Sequence, residues 1–326
     1  MKIAIVGATG EVGRMMLSCL EEFAVPVTEV DLYASERSKG SALDFRGKPV
    51  PVKVLLDDSL LRPYVYVLFS AGGSVARQFA PIAASAGAVM IDNSSAFRQE
   101  DSIPLVVPEI NGSLLEGYQG IVANPNCTTI QLVLPLAILD SLFGLGKVVV
   151  STYQSVSGSG HKGISALQSQ RKGGTDPGIY PELIDLNVIP QIGEFQASGY
   201  CQEEEKIHQE TRKILTLPDL EVCATTVRVP VVFGHSESVY AEFRTAVDLA
   251  KAAQELAQGE SLEFSGTTYI TPRNLGSSNS SHVSRMRLGT SPRSLCFWCV
   301  GHNVRLGAAT NAVRILLKHA RMAGRL

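Results

Sequence analysis

Apolar and polar positions along the first third of the chain follow two periods. Short apolar runs at residues 2–6, 27–33, 64–70, 89–92 and 120–123 read as buried strands. Between them lie stretches with helical spacing, such as 14–22 and 74–84. Strands alternating with helices predict a parallel, doubly wound α/β sheet. Residues 128–140 then read as a mostly apolar helix, after which the pattern changes. The runs 147–156, 220–233, 238–247 and 295–300 alternate like the strands of a mixed or antiparallel sheet, which predicts a second domain. Residues 307–319 form an amphipathic helix, and 276–281 and 289–294 are expected to be exposed loops.

Ligands gather at the carboxyl ends of strands in such a sheet. Three of those ends carry chemistry. The first is Gly7-Ala-Thr-Gly10-Glu-Val-Gly13, a glycine turn directly after a strand and before a helix. That arrangement lets the backbone approach a dinucleotide pyrophosphate at the helix N-terminus. The second strand leads into Ser35-Glu36-Arg37-Ser38-Lys39, where two hydroxyls and two cations suit a 2′-phosphate and so favour NADP, with Glu36 as a counter-signal. The third end carries Asn93, Ser95 and Arg98, whose planar fork could clamp a phosphate or carboxylate.

Asn124-Pro125-Asn126-Cys127 stands where an apolar strand turns into an apolar helix. A thiol on the first helical turn meets unpaired backbone N–H groups and the positive end of the helix dipole, which should ease its ionisation. His235 follows a strand and a glycine, a loop placement suited to acid–base work, with His161 as its competitor. His208, His282, His302 and His319 are expected to face solvent. No H-x-H or H-E-x-x-H spacing points to a catalytic metal.

Composition narrows the class. The chain has 326 residues, too many for one ordinary core. With 45% apolar and 18% charged residues it reads as a soluble globular protein. A net charge of −2 argues against nucleic acid or anionic membrane as a partner, and no apolar run is long enough to span a bilayer. Met1 leads straight into the first strand rather than a secretion signal. Six scattered cysteines suit free thiols in a reducing cytoplasm, and Cys296 and Cys299 are expected to be structural.

Taken together these motifs resemble the aspartate-β-semialdehyde dehydrogenases over almost the full length. The matching pieces include Gly7-Ala-Thr-Gly10, Ala34-Ser-x-Arg-Ser-x-Gly40, Asp92-Asn-Ser-Ser-Ala-Phe-Arg98, Asn124-Pro-Asn-Cys127 and Ser151-Thr-Tyr-Gln154-Ser-Val-Ser-Gly158. They continue through Glu203-Glu-Glu-Lys206, Arg228-Val-Pro-Val-x-x-Gly-His235-Ser-Glu237 and Asn303-x-Arg-x-Gly-Ala-Ala309.

The resemblance implies a Rossmann-type domain of residues 1–126 completed by 303–326, and a catalytic and dimerisation domain of residues 127–302. The whole would be glyceraldehyde-3-phosphate-dehydrogenase-like. It implies NADPH-dependent reduction of β-aspartyl phosphate to aspartate β-semialdehyde with release of phosphate, feeding lysine, diaminopimelate, threonine and methionine synthesis. Cys127 would form a thioester, His235 would move the proton and Gln154 would orient it or the substrate. Arg228 would bind the substrate carboxylate, Glu203 its amino group, and Arg98 and Lys206 its phosphate, with Asn126 in the same pocket. Gly7, Thr9, Gly10, Glu11, Val12, Ser35, Arg37, Ser38, Ser157, Gly158 and Asn303 would hold NADP. A cytoplasmic homodimer, or a dimer of dimers, is implied. The nearest rivals are N-acetyl-γ-glutamyl-phosphate reductase and a catalytically silent paralogue. A short-chain dehydrogenase is disfavoured because no tyrosine has lysine four residues on.

Overall fold

The computed structural model describes all 326 residues. The chain divides into two compact units, residues 1–126 with 308–326, and residues 127–307. The second break follows residue 307 where 302 was expected. Asn303 bonds Gly234 and Ser155, and Arg305 bonds Asn279, so partners within the second unit hold this stretch. No helix is long and apolar enough to cross a membrane.

Unit 1 holds β1 (Lys2–Val6), α1 (Glu11–Glu22), β2 (Glu29–Ala34), β3 (Ala42–Phe45), β4 (Lys48–Val54), β5 (Tyr66–Phe69), α2 (Gly73–Ser85), β6 (Val89–Asp92), α3 (Pro108–Asn111) and β7 (Ile121–Ala123). The chain returns to it at the end with α8 (Asn311–Met322). Seven strands run in the order β3-β4-β2-β1-β5-β6-β7, all parallel except the β3–β4 pair. Both alternate sets of side chains are buried, Ile3, Ile5 and Leu68 on one face and Ala4, Val6 and Phe69 on the other. That explains the unbroken apolar runs, since a parallel sheet is covered on both faces. Helices α1 and α8 share the first core through Met16, Leu20, Val313 and Leu316. His319, expected in solvent, is buried on α8, with Nδ1 2.8 Å from the Tyr66 hydroxyl.

Unit 2 opens with α4 (Cys127–Phe143) and continues through β8 (Leu145–Gln154), α5 (Gly160–Gln170), α6 (Gln202–Leu215), β9 (Glu221–Arg228), β10 (His235–Phe243), α7 (Leu249–Gln258), β11 (Leu262–Ser265), β12 (Ser281–Leu288) and β13 (Ser294–Gly301). Six strands lie in the order β11-β12-β13-β10-β8-β9, with β8–β9 and β11–β12 parallel and the other pairs antiparallel. Strands β11 and β12 fall in stretches not read as strands. The expected loop at 276–281 gives way to β12 at the buried Ser281, and Ser294 is buried as well. Cys296 and Cys299 lie three apart on β13, which turns them to opposite faces of the sheet.

Helix α4 is apolar on every side and buried, with Ile130, Leu132, Val133, Leu136 and Leu139 inaccessible to solvent. It packs on the covered face of the sheet. Pro135 inside it has no N–H for the carbonyl of Gln131. Ser281 Oγ donates to that carbonyl at 2.9 Å and Cys299 Sγ at 3.4 Å, so the sheet supplies what the proline withholds.

Beside this repair stands Glu237, fully buried on β10, with the Gln131 side chain next to its carboxyl group. Burial pushes its pKa well above the ordinary carboxylate value. The folded-state pKa therefore exceeds the unfolded one. Stability present below the unfolded value is lost as pH rises through the folded value. Glu237→Gln, which has no proton to lose, should therefore raise the stability at neutral pH by about 1–3 kcal/mol, the scale of an uncompensated buried polar group. It should also flatten the decline above pH 5 or so. Urea unfolding at acidic and alkaline pH measures both.

Candidate active site

The turn before Cys127 is built from polar groups that bond one another. Arg98, buried, donates from Nε to the carbonyl of Asn124 and from Nη2 to the carbonyl of Asn93, each at 2.9 Å. The Asn124 side chain donates to Asn93 Oδ1 at 2.5 Å and accepts from Asn311 Nδ2 at 2.7 Å. Asn126, the last residue of unit 1, is buried. Arg98 thus braces the turn, whatever else it binds.

Cys127 is the half-buried first residue of α4. The next turns of that helix are tied to the sheet. Gln154 Nε2 donates to Thr128 Oγ1 at 2.9 Å, and Gln131 Nε2 donates to the carbonyl of His235 at 3.4 Å. The strand register completes the row. Gln154 at the end of β8 pairs with Arg228 at the end of β9, and His235 at the start of β10 pairs with Gly301 at the end of β13. One end of the mixed sheet therefore carries Arg228, Gln154 and His235 side by side with the start of α4.

His235 is not the loop residue its sequence context suggested. The strand after Glu221 stops at Arg228, short of the predicted 233, and the chain reverses through residues 229–234 before His235 opens β10, fully buried. Its Nδ1 accepts from the backbone N–H of Ser155 at 3.0 Å and lies 3.1 Å from Ser155 Oγ, while Nε2 has no partner. Burial first, and the Arg228 charge second, push its pKa down to about 3. His161 is exposed on α5. The other supposed surface histidines differ too. His302 is buried against the Phe233 ring and His282 bonds Ser278 Oγ at 2.7 Å, while His208 is half-buried.

The structure separates the three consecutive acids of α6. Glu204 is consumed by structure, accepting from the N–H groups of Cys201 and Thr226. Glu205 accepts from Ser198. Glu203 is buried, pairs with Lys206 at 3.0 Å and lies close enough to His235 to act on its charge. Arg228, also buried, donates from Nη1 to the carbonyl of Ser155 at 2.7 Å. A Cβ on Gly158 would stand 2.9 Å from Arg228 Nη1 and 3.4 Å from His235 Nε2, so only a bare backbone packs this closely against both side chains. Asn303 Oδ1 accepts from Gly234 N at 2.9 Å and from Ser155 and Ser157, and its Nδ2 donates to Ser157 at 2.9 Å. Ser157 and Asn303 thus bond each other and Ser155, whose N–H meets the His235 ring.

Sequence reading missed Ser155 and Gln131. Gln131 carried a signal, being a polar residue one helical turn from Cys127 in an otherwise apolar stretch.

In unit 1 the glycine turn has the shape a dinucleotide needs. Gly7 has φ of +83°, and a Cβ there would stand 2.3 Å from the carbonyl oxygen of Ser70. A Cβ on Gly13 would stand 2.2 Å from the Gly7 oxygen, so α1 packs onto the turn through bare backbone. Gly10 precedes α1, and Glu11 and Val12 form its first turn. Thr9 Oγ1 lies 3.0 Å from Ser38 Oγ, joining the turn to the loop with Ser35 and the exposed Arg37.

Comparison with known proteins gives the family. The family model "Semialdehyde dehydrogenase, NAD binding domain" matches residues 2–118, and "Semialdehyde dehydrogenase, dimerisation domain" matches residues 136–306. The chain belongs to the semialdehyde dehydrogenase family. Among its relatives in that family, the aspartate-semialdehyde dehydrogenase of Aquifex aeolicus is 42% identical over 96% of each chain. That of Bacillus subtilis is 41% identical over 96% of this chain and 95% of its own. The crystal structure of aspartate semialdehyde dehydrogenase II from Vibrio cholerae complexed with ASA superposes with a TM-score of 0.95 at 40% identity, covering 98% of both chains.

Gly158→Ala should lower kcat/KM by about 10-fold or more, because its methyl group would stand 2.9 Å from Arg228 Nη1 and displace that guanidinium. Steady-state kinetics beside thermal unfolding separates that loss from a loss of fold.

Proposed function

We propose that the protein reduces L-aspartyl-4-phosphate to L-aspartate-4-semialdehyde with NADPH, releasing phosphate, through a thioester on Cys127. The observation that carries this is the cluster at the sheet end: a half-buried thiol opens a helix whose first turns are tied to Gln154 and His235, with Arg228 and Glu203 beside His235. The names of relatives about 40% identical over nearly the whole chain support the substrate.

Each residue has a role that its chemistry fits. The Cys127 sulfur, at the positive end of the α4 dipole, attacks the acyl carbon. Gln154 holds the first turn of that helix through Thr128. Arg228 offers its planar fork to the substrate carboxylate and Glu203 its charge to the amino group. Lys206 and Arg98 are cations suited to a phosphate, and Asn126 is next to the attacking thiol in sequence. The acid favours aspartyl phosphate over N-acetylglutamyl phosphate, since an acetamide has no positive charge to meet Glu203.

The glycine turn of unit 1 fits a dinucleotide at Gly7, Thr9, Gly10, Glu11 and Val12, because bare backbone is what permits close approach there. Ser35, Arg37 and Ser38 suit a 2′-phosphate. Bound NADPH supplies the hydride. Ser157, Gly158 and Asn303 were expected at the cofactor too. Ser157 and Asn303 bond each other and Ser155, and Gly158 packs close to Arg228.

A homodimer fits the face of the mixed sheet that the helices leave bare. On it Val149, Tyr153 and Cys223 are exposed, and the Tyr153 and Trp298 rings lie 5.5 Å apart, while the alternate residues of the same strands are buried. Such an apolar, aromatic patch is what a second copy would cover. A charged side chain at its centre, Tyr153→Glu, should convert the dimer to monomer in sedimentation.

The direct test is a phosphate-dependent assay with aspartate semialdehyde and NADP, run beside the N-acetylglutamate analogue. Activity with the first and not the second is expected. Cys127→Ala should abolish turnover while NADPH binding persists, and unchanged turnover would end the proposal. NADPH should be preferred to NADH, and Arg37→Ala should narrow that preference.

A further inference from the structure

Leu186 is the most exposed large apolar side chain of the fold, with 95% of its surface in solvent. It is held there. The N–H of Asn187 bonds the carbonyl of Ile184 at 3.2 Å, closing a turn in which Leu186 has φ of +57°, a conformation that favours glycine or asparagine. Asn187 braces the turn on one side, its Nδ2 donating to the carbonyl of Leu183 at 2.9 Å and its Oδ1 accepting from the N–H of Val188 at 2.8 Å. On the other side Gln170 Oε1 accepts from the N–H groups of Ile184 and Asp185, and Ile184 is fully buried with Val156 and Leu167. The turn is anchored beneath and presents its leucine outward.

This turn continues the bare face of the mixed sheet. Just after it Ile189 exchanges both backbone hydrogen bonds with Arg228, at 3.0 and 2.8 Å, which adds a short antiparallel segment to the outer edge of β9. Paired residues share a face, and alternation turns their neighbours to the other one. Ile189 and Arg228 are buried, so Val188, 60% exposed, lies on the side of Val227, which pairs with Tyr153. An apolar stripe therefore runs from Trp298 and Tyr153 across Val227 to Val188 and the Leu186 turn. Charges such as Lys147 and Glu221 stand at its border, the make-up of a protein interface. The stretch lies within the dimerisation domain, residues 136–306, so the occupant it fits is a second copy of this chain.

Beyond the turn the same segment supports the residues read as substrate-binding. Ile189 holds the backbone of Arg228. The carbonyl of Ile192 accepts from the N–H of Glu203 at 3.2 Å, and that of Glu194 accepts from the N–H of Gln202 at 2.9 Å. Gln191, Ile192 and Gly193 line a cavity of about 410 Å³ together with Tyr180 and Arg228. We infer that the partner copy seats the Leu186–Val188 turn and thereby holds residues 189–194 against Arg228 and Glu203, so that the substrate pocket is complete only in the dimer. The inference rests on the reading of Arg228 and Glu203 as substrate-binding groups. Its thermodynamic form is a coupling. If dimerisation raises substrate affinity by some factor, substrate must tighten the dimer by the same factor. The dinucleotide turn belongs to unit 1 and shares none of these bonds, so cofactor affinity stays outside the coupling.

Leu186→Asp and Leu186→Gly test the surface by sedimentation over a range of protein concentration. Each should weaken the dimer by about 10-fold or more. Glycine suits the backbone at this position better than leucine, so a weaker dimer in that variant is not a folding defect. A dimer as tight as that of the unsubstituted protein overturns the inference. At concentrations where the variants are monomeric, KM for aspartate semialdehyde should rise about 10-fold, within the usual range of coupling between sites, while NADP affinity is unchanged. Concentrating the protein into dimer should restore KM. Hydrogen exchange reads the same event without turnover. The amides of Ile189 and Arg228 should exchange faster in the monomer, and Val149→Lys, which disrupts the face away from the turn, should have the same effect. Monomers with unaltered KM and protection overturn the coupling. If the dimer weakens and both amides lose protection while aspartate semialdehyde is no substrate, the substrate reading alone falls.

Discussion

Where α4 begins determines what unit 2 can do. A helix buried on all sides has to satisfy the polar groups of its own ends inside the protein. Gln154 meets Thr128 and Gln131 meets the carbonyl of His235, so two strands hold the first turns of the helix. Pro135 withholds a further hydrogen bond, and Ser281 and Cys299 from β12 and β13 provide it. The same bonds that fix the helix bring Cys127 to the end of the sheet where Arg228 and His235 already stand.

The polar groups at that end are buried and mostly satisfied by one another, which makes them rigid. Glu204 caps α6, and that leaves its neighbour Glu203 to face the site. Asn303, Ser155 and Ser157 bond among themselves around the imidazole. Preorganised donors in a dry setting stabilise developing charge without reorganising.

Much of this was legible in the residues. The unbroken apolar runs of unit 1 report strands covered on both faces, and the change to alternation reports a sheet with one open face, as Val149 and Tyr153 beside buried Val148 and Val150 now show. The Asn-Pro-Asn turn announced the position of Cys127. What could not be read were side chains whose environment is made by distant segments. His235 looked like a loop residue because Pro230 and Gly234 lie just before it, yet antiparallel pairing with β8 and β13 draws it into a strand. His282, His302 and His319 looked solvated because their neighbours are polar, but tertiary contacts bury them. Strands β11 and β12 were hidden by serines that bond inward. Ser155 carried no signal, since its part is played chiefly by its backbone N–H.

Turnover by the proposed route requires a covalent bond between substrate and one sulfur. Mixing the protein with aspartyl phosphate in the absence of NADPH, quenching in acid and mapping the peptides by mass spectrometry tests it directly. One hydroxylamine-labile aspartyl group per chain, on Cys127, is the predicted result. An unmodified Cys127, or an acyl group spread over the other five cysteines, would contradict it.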